Sequence, residues 1–382
     1  MGPLDGTRIV EISEGLAGSA AGMLFSDYGA EVVKIVPPLE EDTGRLTPGY
    51  VVWNRGKKSL TLDLESPQGR DILLRVLGAS DVLLETLQPG EMKRLAIDYE
   101  TIHSEIPGLI YCSLSGYDAN GPDSERPSYD GLVQARAGFM TNSWGAGGAE
   151  HREGPKRMGF PAPSYGAAFY ACFGILTALY VRNQTGLGQH VNTSLYGAAV
   201  SMTRWGWAEN RGAPGTPGRG LFGMWQCGDG GYVWTHTGAR GAFDRYMKVL
   251  GLDQYMASAP EPIPWSTAMS QELRTKVAEL LKTKPRVEWI SLFNEADLPN
   301  HAVLHPGDAF DDEQVHAVNM VATVDDPVLG KLEQTNAPIK FEKTPGSVRQ
   351  AAPIKGEHTD EILLGIGMSQ SAIDGLRVEG VI

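Results

Sequence analysis

Arg8–Ile35, RIVEISEGLAGSAAGMLFSDYGAEVVKI, decides how this chain folds. Arg8–Ile12 is a short β-rich run, a Gly/Ala-rich turn follows, an apolar helix is expected to about Tyr28, and Glu31–Ile35 is a second β-rich run. Strand, helix and strand joined by connections of a few residues indicate parallel strands, which need a crossover between them. The alternation continues outward through Ser59–Leu64, a helix over Pro67–Leu77, a strand at Asp81–Glu85, a helix near Tyr99–Glu105 and a strand at Leu109–Ser115. The expected fold is therefore α/β, with a Rossmann-like, doubly wound large domain.

The first turn is not that of a dinucleotide-binding protein. Gly15, Gly18 and Gly22 stand at spacings of three and four, not in the G-x-G-x-x-G pattern that seats a pyrophosphate on a helix N-terminus. The acidic residue expected after the second strand is missing, since Lys34-Ile35 runs into Val36-Pro37. No NAD or flavin is expected. The small residues allow a ligand to approach the backbone, and close helix packing explains them equally well.

At 382 residues the chain is expected to hold two domains. We divide it into a large domain over 1–209, a small α+β domain over 210–325 and a C-terminal segment, 326–382, that returns to the large domain. Arg211–Gly220, RGAPGTPGRG, reads as a linker or mobile loop. A hairpin, Gly223–Cys227 with Tyr232–Thr235, turns at Gly228–Gly231, and helices are expected near Phe243–Leu250, Glu272–Leu281 and Arg286–Glu295.

Thirty-three basic against 46 acidic side chains give a net charge of −13, which repels nucleic acid and anionic lipid. Cys112, Cys172 and Cys227 are odd in number and widely spaced, and the eight histidines lack metal-ligand spacing, so neither a disulfide framework nor a metal site is expected. Met1–Leu4 has no basic n-region, and no apolar run approaches the roughly 18 residues of a membrane span. A cytoplasmic protein without a membrane partner is expected.

Across the rest of the chain a set of motifs recurs in one order: Pro3-Leu4-Asp5-Gly6, Asn54–Leu60 (NRGKKSL), Leu62-Asp63-Leu64, Glu85–Gly90 (ETLQPG), Tyr111-Cys112-Ser113, Arg126–Asp130 (RPSYD), an apolar helix ending at Arg182, Thr185–Val191 (TGLGQHV) and Gly356–Leu363 (GEHTDEIL). In these the chain resembles the class III CoA-transferases, the CaiB/BaiF family, including formyl-CoA transferase and benzylsuccinate-type subunits. The resemblance implies a CoA-binding Rossmann-like domain, an interlocked dimer, and CoA thioester and carboxylic acid as substrates. It also implies CoA contacts at Leu16, Ala17, Arg55, Lys57, Lys58, Leu62, Thr86, Leu87 and Arg94. Of these, Arg55, Lys57, Lys58 and Arg94 form the clearest basic group in an acidic chain and suit phosphate, although short basic runs are commonly solvated faces. Thr86-Leu87-Gln88 replaces the Asn-Phe common before Pro-Gly, and Leu16 and Val36-Pro37 are further departures.

The centre departs most. The family aspartate, which would form a mixed anhydride with the acyl group, falls on Ser164. No Gly-x-Ser-x-Gly elbow surrounds it. Tyr129 stands where related racemases have histidine, and Asp130 is the carboxylate that survives beside it. Two readings follow from the resemblance: a CoA-binding subunit working with an Asp-bearing homologue, or a homodimeric acyl-CoA lyase, hydratase, isomerase or thioesterase using Tyr129, Asp130 and Ser164. A third is a CoA-ester binding protein without catalysis. Glycines 218, 220, 223, 228, 230 and 231 match a family loop that closes over the site, and Trp205, Trp207, Phe222, Trp225 and Trp234 read either as walls for a bulky acyl group or as core.

Overall fold

The structure, a computed structural model, describes residues 1–38, 45, 49–140, 157–202, 221–256 and 268–382. Arg211–Gly220, Trp205 and Trp207 lie outside the described residues.

The chain forms two compact units, the first made of Met1–Phe139, Arg157–Arg204 and Glu313–Ile382. Its core is a parallel sheet of β1 (Arg8–Ile12), β2 (Glu31–Val36), β3 (Lys58–Thr61), β4 (Val82–Glu85), β5 (Ile110–Ser115) and β6 (His190–Ser194), in the order β3-β2-β1-β4-β5-β6. That is the doubly wound order, with the reversal between β1 and β4. Period-2 alternation divides each strand between two faces. Ile9, Val32, Val82 and Ile110 pack under α1 (Gly15–Asp27), whereas Val10, Val33, Leu83 and Tyr111 pack on the opposite face. Helix α2 (Tyr50–Trp53) precedes β3, and Ser66 caps α3 (Pro67–Gly78) by accepting from the Gly69 N–H at 3.0 Å. Helices α4 (Glu91–Arg94) and α5 (Tyr99–Glu105) follow β4, and α6 (Asp130–Arg136), α7 (Ala162–Thr185) and α8 (Leu195–Met202) complete the α1 face.

One expected strand is shorter, one strand was not foreseen and one boundary differs. Strand β3 ends at Thr61, not Leu64, because the Asp63 N–H turns away to the Val381 carbonyl and Ser66 then caps α3. The edge strand β6, HVNTS, carries too little apolar alternation to be read as a strand. The return to the large unit begins at Glu313, ahead of residue 326. The hairpin of β10 (Val321–Asp326) and β11 (Gly330–Thr335) is tied to that unit by Arg45–Asp326 (2.6 Å) and by Arg55–Gln334 (3.2 Å).

Helix α7 is also long and apolar enough, by length and composition, to cross a membrane, contrary to the reading that no run is. Its alanines pack against α1 and α8, and Gly186, at φ +77°, ends it in the left-handed region that favours glycine. Its outward side chains Phe169, Tyr170, Phe173, Leu176 and Tyr180 are exposed.

The second unit contains, among its described residues, the antiparallel strands β7 (Phe222–Gln226), β8 (Tyr232–His236) and β9 (Asn300–Ala302) with α9 (Ala242–Leu250), α10 (Ala268–Leu281) and α11 (Arg286–Glu295). Its core holds Trp225, Val233, Tyr246, Trp289 and Phe293. Trp225 is core here, its indole N–H donating to Thr235 Oγ1 at 2.8 Å, whereas Trp234 is exposed.

Candidate active site

The reversal in strand order splays the loops after β1 and β4 apart, and a cleft of about 830 Å³ opens there at the carboxyl edge of the sheet. Ser13, Glu14 and Gly15 line it after β1, Val36 and Pro37 after β2, Leu62 to Glu65 after β3, and Leu87, Gln88, Glu91 and Arg94 after β4. Trp53 and Tyr50 of α2 form an aromatic part of the wall, and Lys34 and Lys355 contribute cations. The loops are fastened to each other: the Glu14 N–H donates to Thr86 Oγ1 at 2.9 Å.

Leu62, Leu87 and Arg94, each expected to contact the ligand, line this cleft. Leu16 and Ala17 instead pack in the core against the sheet, and the Thr86 methyl stands where a Cβ on Gly18 would come within 2.5 Å. The expected basic group is divided. Arg55, 2% exposed, grips Asp27 through Nη2 (2.7 Å) and Nε (3.1 Å), and Lys58 pairs with Glu31 and Glu361 at 2.8 and 2.7 Å. Lys57 is buried against Glu11 at 2.7 Å. These three serve internal carboxylates and do not line the cleft, which corrects their reading as phosphate contacts. Desolvating a cation is costly unless it is paired, so the buried ones end on acids.

Glu11 and Lys34 are register partners on β1 and β2, both turned toward α1. Lys34 Nζ lies 2.8 Å from Glu11 Oε1 and 3.1 Å from Ser19 Oγ, and Lys57 Nζ also reaches the Ser19 carbonyl at 2.9 Å. Burial alone would raise the Glu11 pKa, but the two ammonium groups hold it down at about 2. Burial depresses Lys57 to about 7, with Glu11 opposing. A Cβ at Gly22 would run into Glu11 Oε2. The helix glycines therefore let α1 close over a buried ionic cluster. Lys34, which reaches the cleft from this cluster, was missed because a lysine inside a strand carries no motif.

Ser164 lies in the first turn of α7, 5% exposed. Its hydroxyl and its backbone N–H both donate to Asp130 Oδ2, at 2.7 and 2.9 Å. Asp130 Oδ1 accepts from Gln134 Nε2 at 2.7 Å, and the buried Gln134 also accepts from the Met158 N–H at 3.1 Å. A carboxylate thus sits at the N-terminus of a 24-residue helix, where exposed N–H groups favour negative charge. Tyr129 is 71% exposed and points into solvent. Tyr165 stacks on Phe160 with centroids 5.0 Å apart, and its hydroxyl accepts from Trp53 Nε1 at 3.2 Å, linking the start of α7 to the aromatic end of the cleft. Among the described residues no histidine hydrogen bond reaches Ser164, and no group of three or more His, Cys, Asp or Glu is placed to hold a metal.

The first unit is thus a doubly wound α/β fold with a cleft at its topological switch and a serine–carboxylate pair at the start of a long apolar helix. The chain belongs to CoA-transferase family III, whose family model matches residues 4–359. It is similar to the formyl-CoA:oxalate CoA-transferase of Rhodopseudomonas palustris (strain BisA53), at 27% identity over 99% of this chain and 97% of that protein. It is likewise similar to the succinyl-CoA:glutarate CoA-transferase of Mus musculus, at 27% identity over 100% and 91% of the two chains. A CaiB/BaiF family protein from Brucella suis has a crystal structure that superposes with a TM-score of 0.80 at 25% identity, over 96% of this chain and 99% of that one.

Proposed function

We propose that this chain is a subunit of an acyl-CoA:carboxylate CoA-transferase that binds the CoA thioester in the cleft and lacks its own aspartate nucleophile. The observation that carries this is the state of Ser164: buried, with no histidine hydrogen-bonded to it among the described residues, its hydroxyl donated to a carboxylate. A serine needs a base strong enough to generate alkoxide, and an acyl-serine ester is far less reactive toward a thiolate than an anhydride. The nucleophile then comes from an Asp-bearing homologue paired with this chain. The exposed apolar face of α7 supports such pairing, since contiguous apolar patches of this kind on a family member mark an interface.

A second reading is favoured by one distance. Asp130 Oδ2 lies 2.7 Å from Ser164 Oγ, so a carboxylate stands beside the vacated position. In this reading Asp130 attacks the thioester carbonyl, the C–S bond breaks, CoA leaves as thiolate, and the chain works alone.

The two separate when the purified chain is given succinyl-CoA and candidate acids, alone and mixed with an Asp-bearing homologue. Transfer confined to the mixture supports the first. Turnover by the chain alone that is lost in Asp130→Asn supports the second, and turnover that survives both Asp130→Asn and Ser164→Ala sinks both.

A further inference from the structure

Arg94 is the cation at the mouth of the cleft, and its guanidinium is already occupied. Nη1 and Nη2 hold Glu65 Oε2 and Oε1 at 2.7 and 2.6 Å, while Nη2 and Nε hold Glu91 Oε2 at 2.8 and 3.1 Å. Glu65 comes from the loop after β3 and Arg94 from the segment after β4, and all three residues line the cleft, so the ion pair spans its mouth. The Glu65 arrangement is the two-point fork that a phosphate would adopt on the same arginine. Glu65 is anchored for this: its N–H donates to Asp63 Oδ1 at 3.0 Å, and Ser66 begins α3 immediately after.

We propose that Glu65 is an internal stand-in for a ligand phosphate, held on Arg94 at the rim of the cleft and exchanging places with that phosphate when the ligand enters. The inference rests on the reading of the cleft as the CoA-thioester site. The exchange replaces one anion on Arg94 by another, so it lowers the net gain from the arginine–phosphate contact and weakens its dependence on salt. Without Glu65, small counterions cover Arg94 and are released on binding, and the salt dependence steepens.

The test is isothermal titration of CoA, 3′-dephospho-CoA and pantetheine into the full chain and its Glu65→Gln, Arg94→Ala and doubly substituted variants, at low and high salt, with melting followed to confirm folding. Glu65→Gln should tighten CoA binding about two- to fivefold at low salt, the range measured for exposed ion pairs, and steepen the salt dependence. The gain should vanish in the Arg94→Ala background and with pantetheine, which carries no phosphate. Retention of the gain with 3′-dephospho-CoA assigns the displaced Glu65 to the diphosphate, and its loss assigns it to the 3′-phosphate. CoA binding that is equal in wild type and Glu65→Gln, with equal salt dependence, overturns the inference while leaving the cleft reading intact. Absence of CoA binding to every variant, wild type included, removes the cleft reading and this inference together.

Discussion

Ser164 and Asp130 are joined through two hydrogen bonds that end on one oxygen: hydroxyl and backbone N–H of Ser164 both reach Asp130 Oδ2. The pair neutralises the start of α7, and the acceptor of the serine hydroxyl is a carboxylate, a weak base for generating an alkoxide.

Ser164→Asp supplies the carboxylate that the proposed function takes to be missing at this position. If the nucleophile alone has gone, the substituted chain acquires CoA transfer in the absence of any homologue, and hydroxylamine traps an enzyme-bound acyl group. No gain, with CoA binding intact, would show that more than the nucleophile is missing.

Ser164→Ala removes the hydroxyl bond and leaves the backbone one. A hydrogen bond to a charged group contributes about 1.5–3 kcal/mol, so the variant should lose up to about that much in urea unfolding. Asp130→Asn, which also removes the charge facing the helix N-terminus, should lose at least as much. Unchanged stability in both would mean the pair does not hold α7.

The buried cluster under α1 predicts how stability varies with pH. Glu11 is held at about 2, below its ordinary 4.5, so the stability it contributes is complete above 4.5 and is lost as pH falls from there toward 2. Lys57, depressed to about 7 from 10.5, opposes folding below 7, and that opposition is relieved as pH rises toward 10.5. Urea unfolding between pH 6 and 10 should show a rising component that Lys57→Met abolishes. Glu11→Gln strands two buried ammonium groups and should cost about 3–5 kcal/mol. A flat profile in the wild type contradicts the Lys57 assignment.

Gly22→Ala drives a methyl into Glu11 Oε2 and to within 3.0 Å of Lys57 Nζ. Overpacking of this kind costs about 1–3 kcal/mol. Gly78→Ala, at the end of α3 with open space around it, should be neutral or stabilise by up to about 1 kcal/mol. Equal effects of the two on melting temperature would refute the close approach of α1.

Much of the sheet was legible because its signals are local. β1 and α1 alternate and cluster within a few residues, and α3 declares itself through Ser66 and Pro67. β6 was not, since an edge strand half open to solvent needs no apolar alternation. Of the residues singled out from motifs, Leu62, Leu87 and Arg94 line the cleft, whereas Arg55 and Lys57 do not, because nothing near them in the chain shows that Asp27 and Glu11 await them across α1. Trp53 and Lys355, which reach the cleft from a four-residue helix and from the C-terminal segment, had no local sign at all.

By itself the sequence determined the doubly wound order of elements, the family, and that a serine stands at 164, since periodicity, motif order and residue identity are properties of the chain as written. Only the tertiary structure decided what the charges do. Which cations are buried on acids, which one faces the cleft with Glu65 in its fork, and which carboxylate holds Ser164 depend on through-space distances of a few ångströms, and in a low-dielectric interior those distances outweigh any spacing along the chain.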